Sequence, residues 1–132
     1  LRILQVAQGK GMITSLKDNQ FIVVGTNLAG QHGAGAAYQA YLNFGLEYGI
    51  GEGLSGQTYA FPTLERDMHQ RGWKGLEAAR DRFYSIARAL PEKEFLMTPV
   101  GTGIAGYEPE YMKQLFINPP ANVVLPDWNQ NK

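Results

Sequence analysis

The chain has 132 residues, with 12 basic and 12 acidic residues giving a formal net charge of zero, and it contains no cysteine. That length supports one domain, residues 1–132, around one core. The balanced charge without a basic block argues against nucleic-acid binding through phosphates, and the lack of cysteine removes disulfides, zinc–thiolate sites and thiol nucleophiles together. No apolar run reaches the roughly 20 residues of a membrane span and no signal-peptide pattern is seen. The expectation is a cytoplasmic protein without a membrane partner.

Arg2 to Ala7 has the pattern of a first strand, and Gln8-Gly9-Lys10-Gly11 turns the chain. Met12 to Leu16 fits either extended chain or a short helical turn, and Lys17 to Gln20 is a polar turn. Phe21-Ile22-Val23-Val24 is a continuous apolar run, the mark of a buried strand. It passes into a loop carrying Gly25, Gly30, Gly33 and Gly35, and then into a helix from about Gly33 to Phe44. Strand, glycine loop and helix together bring backbone N–H groups and a helix N-terminus towards an anion. The same segment could equally be a tight, close-packed connection. Tyr38, Tyr41 and Phe44 are expected in the core.

Gly45 to Gly56 holds five glycines interleaved with Leu46, Tyr48, Ile50 and Leu54. It is too apolar for a flexible linker and too glycine-rich for a helix, so an ordered loop packed on the domain is expected. Glu47 and Glu52 are its only charges, a possible carboxylate pair or simply its solvated side. Gln57 to Phe61 should form a strand ended by Pro62, and Leu64 to Trp73, with His69, a polar surface segment. Between Lys74 and Leu90, the helical spacing of Leu76, Ala79, Phe83, Ile86 and Leu90 predicts an amphipathic helix that Pro91 stops.

Phe95 to Val100 predicts a second buried strand that delivers a second glycine loop, Gly101-Thr102-Gly103-Ile104-Ala105-Gly106-Tyr107. Pro109 should open a short helix through Phe116, Asn122 to Leu125 a last strand, and 126–132 a polar tail. Strands alternating with helices predict an α/β domain, one central mixed sheet covered by helices on both faces. In such sheets, ligands bind beyond the carboxyl ends of the strands, where two glycine loops could hold one diphosphate between them.

The second loop resembles a ligand loop of macro domains, the ADP-ribose-binding family, in which an apolar strand runs into a G-[TS]-G-x-x-G-[YF] pattern. Gln8-Gly9, Ile13-Thr14, Phe21 to Val24, Asn27 and then Gly30 to Ala37 resemble, in order, that family's G-D-I-T, strand, N-A-A-N, glycine loop and helix. The Asn27 to Ala37 string also looks like an uncharacterised group of small bacterial and phage proteins. The macro-domain resemblance implies that Asn27 lies near a distal ribose, and that Gly30, Gly33, Ala34 and Gly35 offer backbone to the diphosphate. It further implies that Gly101, Thr102, Gly103, Ile104, Ala105 and Gly106 wrap the other side, with Tyr107 against the ribose. The chain departs from the family pattern at three places. Met12 stands where the family has its adenine-binding aspartate, Val24 replaces the first asparagine of N-A-A-N, and Ala34 and Ala36 occupy the region of the aspartate found in some hydrolytic members.

The small-molecule partner implied is ADP-ribose or a related nucleotide diphosphate, with no cofactor and no metal. His32, within the first loop, could act as a general acid or base, which would make the protein a hydrolase of an ADP-ribosyl or nucleotide derivative. It could also simply cap the helix or bind phosphate. A third possibility is a structural interaction module without a ligand, which predicts an exposed apolar patch near Leu46, Tyr48 and Ile50.

Overall fold

A strand with the run Ile22-Val23-Val24 has no polar face, so it is stable only with apolar partners on both sides of a sheet. A computed structural model of the chain, in which residues 13–129 are described, places this strand in the middle. The described elements are β1 (Gln20–Asn27), α1 (Gly35–Asn43), β2 (Gly53–Ser55), β3 (Thr58–Leu64), α2 (Trp73–Ala89), β4 (Glu94–Met97), α3 (Pro109–Leu115) and β5 (Val123–Val124). The strand order is β2-β3-β1-β4-β5. β1 is parallel to both β3 and β4, β5 is parallel to β4, and only the edge strand β2 runs antiparallel. This is the expected α/β domain with a mixed sheet. The strand and turn expected over residues 2–11 lie outside the described residues.

Alternation along the strands sorts the core into two layers. Val23, Tyr59, Phe61, Phe95 and Met97 face α2 and α3, where they meet Leu76, Ala79, Phe83, Met112 and Leu115. Ile22, Val24 and Ala60 face the other way, against Ala37 and Ala40 of α1 and Leu46. The first layer is centred on Phe83, whose ring centroid lies 4.8 Å from that of Tyr59 and 5.7 Å from that of Phe95. The second layer is thin because α1 meets the sheet through alanines. Tyr38 and Tyr41 therefore sit on the outer flank of α1 and are exposed, contrary to the core position expected for them, while Phe44 is half-buried against the thin layer.

Several boundaries moved for local reasons. β3 continues through Pro62. β2 pairs with β3 only as far as Ala60, and the Pro62 carbonyl turns to the Arg71 guanidinium rather than to β1, so the missing N–H of proline falls where no ladder bond is required. β4 ends at Met97, where Thr98 folds back so that its N–H and Oγ1 both donate to the Val23 carbonyl. The glycine-rich segment 45–56 is ordered, as expected, and also supplies β2. Among the described residues, no helix is long and apolar enough to cross a membrane.

Candidate functional site

The chain leaves β1 through α1 to reach β3 on one side, and leaves β4 through α3 to reach β5 on the other. The carboxyl ends of β1 and β4 therefore form a switch point, where the two connections diverge and open a crevice. A cleft of about 710 Å³ occupies this position. Its walls are the end of β1 (Gly25, Thr26, Asn27), Gly33 and Ala34 with the start of α1 (Gly35 to Gln39), the segment after β4 (Thr98 to Gly101, then Gly103 to Ala105), Thr63 and Leu64 at the end of β3, and Met68 beyond it. Its apolar lining includes Ile13, Ile22, Ala37 and Phe44, which pack together in the layer under α1, and Met97 of the opposite layer.

Of the residues singled out in the sequence, Asn27, Gly33, Ala34, Gly35, Gly101, Gly103, Ile104 and Ala105 line this cleft, whereas Gly30, His32, Thr102, Gly106 and Tyr107 do not. The division in the second loop has a simple basis. Its internal turn bonds use the N–H groups of Thr102, Gly106 and Tyr107, which donate to Pro99, Gly103 and Gly101. The four lining residues donate to none of these bonds, although the carbonyls of Gly101 and Gly103 accept in them. In the first loop, Gly35 adopts φ +66°, a conformation that favours glycine, and opens α1. No side chain caps α1, and its first turn holds no acidic residue, so its N-terminal dipole faces the cleft uncompensated. The first turn of α3 is not part of the cleft wall.

Asn27 lines the cleft, but its side chain is engaged within the loop. Its Nδ2 donates to the Gln31 carbonyl at 2.7 Å, and its Oδ1 accepts from the Gln31 N–H at 3.1 Å. Gly30 is pressed against segment 45–52, where an added Cβ would lie 2.4 Å from the Gly49 carbonyl carbon. Tyr107 is buried, and its hydroxyl accepts from the Arg71 N–H at 2.7 Å and faces the carbonyls of Thr63 (2.8 Å) and Arg71 (3.0 Å). It joins the second loop to the end of β3, where the resemblance implied contact with a ribose.

His32 was expected in the loop as a general acid or base, and the structure turns it away from the cleft, leaving it only 1% exposed. Its Nε2 lies 3.0 Å from the Glu47 carbonyl, which fixes a proton on that nitrogen, and Tyr48 lies beside its ring. Nδ1 makes no hydrogen bond of proper geometry. Burial lowers the pKa of His32 below its ordinary value, partly opposed by the carbonyls of Glu47 and Ile50. The ring is thus a neutral strut between the first loop and segment 45–52. That segment also donates Gly49 N–H to Gly30 and accepts Thr26 Oγ1 at the Gly51 carbonyl.

Glu52 forms a two-bond pair with Arg82 of α2 at 2.7 and 2.9 Å, and Glu47 is exposed, so these carboxylates do not converge on the cleft. His69 is exposed and paired with Asp67. Near residues 46–50, Leu46 is buried and Ile50 half-buried, while Tyr48 is exposed and meets the exposed Tyr41 ring edge-on at 4.7 Å.

Sequence reasoning passed over Ile13, Ile22, Phe44, Met68 and Met97 as cleft residues, because apolar side chains at core spacing carry no mark of a ligand. Met68 carries one structural sign, a positive φ of 73° in the turn that brings it to the cleft mouth. Comparison with protein-family models, curated proteins and solved structures finds no match to this chain.

Proposed function

We propose that the cleft binds ADP-ribose or a related nucleotide diphosphate. The carrying observation is that the two glycine-rich loops, from adjacent parallel strands, face each other across one cleft at the switch point of the sheet. Backbone N–H groups and the uncapped start of α1 suit a diphosphate without needing a lysine or arginine, which agrees with the neutral composition. The apolar group Ile13, Ile22, Ala37 and Phe44 suits a planar base, and the Gln31 amide in the lining suits a polar distal group. The volume of about 710 Å³ falls in the range of small-molecule sites.

Isothermal titration with ADP-ribose, followed by mass spectrometry of the same samples, tests the proposal. Saturable binding with the ligand recovered intact is expected. No heat at millimolar ligand would overturn it. A changed ligand mass would show turnover, for which the buried His32 offers no route.

A further inference from the structure

We infer that this cleft takes nucleoside diphosphate ribosides without selecting the base, resting on the diphosphate site proposed above. Discrimination between bases requires fixed hydrogen-bonding groups aimed at the base edge, and their absence leaves a site tolerant of all of them. The apolar end is formed by Ile13, Ile22, Ala37 and Phe44, none of which can hydrogen-bond through its side chain. Among the described lining residues there is no Asp, Glu, Lys, Arg or His.

Of the cleft hydroxyls, that of Tyr38 on the α1 wall can turn to offer either a donor or an acceptor, and the threonine hydroxyls are engaged with the protein. Thr26 Oγ1 donates to Gly51, Thr63 Oγ1 to Thr26, and Thr98 Oγ1 to Val23. Among the described lining residues, Gln39 on the α1 wall is the amide nearest in sequence to Phe44. Its Oε1 accepts only a long 3.4 Å contact from Asn43, so the group is not held in one orientation. A turning amide offers either a donor or an acceptor, and so matches the edge of any base. What remains constant among purines and pyrimidines is a flat face, and that is what the apolar end can hold.

The test is titration with ADP-ribose, GDP-ribose and UDP-ribose, which share the diphosphate and the distal ribose, on wild type and on Gln39→Ala. Dissociation constants within about tenfold of one another are expected, and Gln39→Ala should leave their ratios unchanged. Binding of one base alone, a spread beyond that range, or a Gln39→Ala effect confined to one base would overturn the inference while leaving the diphosphate site standing. Failure of all three ligands to bind would overturn both.

Discussion

Replacing Gly51 with alanine tests whether segment 45–52 braces the first loop. Gly51 is buried, and an added Cβ would stand 2.6 Å from the Asn27 carbonyl oxygen and 2.8 Å from that of Leu28. Both atoms are backbone at the end of β1, so neither can rotate away, and the segment must lift by on the order of 0.8 Å to restore ordinary contact. Overpacking of this kind costs about 1–3 kcal/mol. The lift also stretches the 2.7 Å bond from Thr26 Oγ1 to the Gly51 carbonyl, worth about 1 kcal/mol. The expected loss is therefore roughly 2–4 kcal/mol, or a fall in Tm of roughly 8–16 °C for a domain of this size. Urea denaturation read by tryptophan fluorescence measures it. Gly103→Ala is the companion, since an added Cβ there meets nothing within 4 Å. It should leave stability within about 0.5 kcal/mol of wild type and weaken ADP-ribose binding by placing a methyl group on the cleft wall. A Gly51→Ala protein as stable as wild type would refute the brace.

Three further outcomes are expected. Tyr107→Phe should destabilise by roughly 2–4 kcal/mol, because it strands the buried Arg71 N–H and the Thr63 carbonyl; a denaturation curve unchanged from wild type would contradict the buried role of the hydroxyl. Stability should fall as the pH drops from about 6.5 towards 5. The folded state holds His32 neutral with its pKa lowered, so below the unfolded value the unfolded chain binds more protons and gains. His32→Gln should flatten that part of the profile, and an identical slope in both proteins would count against the buried neutral ring. Glu52→Gln should cost at most about 1 kcal/mol, because its Arg82 partner is half exposed, and the cost should shrink further in 1 M salt; a larger or salt-independent loss would show that the pair acts through more than charge.

The fold was largely legible in the sequence, and the site only in part. Unbroken apolar runs at 21–24 and 95–97 and the spacing of Leu76, Ala79 and Phe83 marked buried strands and an amphipathic helix, because burial on both faces or on one leaves a direct pattern. The two glycine loops were visible for the same kind of reason, as backbone that must bend closely. Side-chain roles were not visible. His32, Asn27 and Tyr107 have the chemistry of ligand contacts, and the structure uses all three to hold loops together. Nothing in a sequence distinguishes a histidine pointing into a cleft from one pointing behind it, since one rotation of the loop exchanges the two. Pro62 misled in the opposite sense, because whether a strand tolerates proline depends on which neighbour its edge faces, and β2 is too short to be that neighbour.

The place of β1 in the sheet also governs how the chain can come together. β1 precedes both of its neighbours, β3 and β4, in the chain, with Ile22 opposite Thr58 on one side and Leu96 on the other. A chain emerging from the ribosome holds this central, apolar strand with one edge unpaired until Met97 has been made, and an open apolar edge invites pairing with other chains. Both pairings are parallel and distant in sequence, which makes for slow closure. Fragments ending before β4 should therefore aggregate, and the cleft, whose second wall follows β4, comes into being only as the sheet is completed.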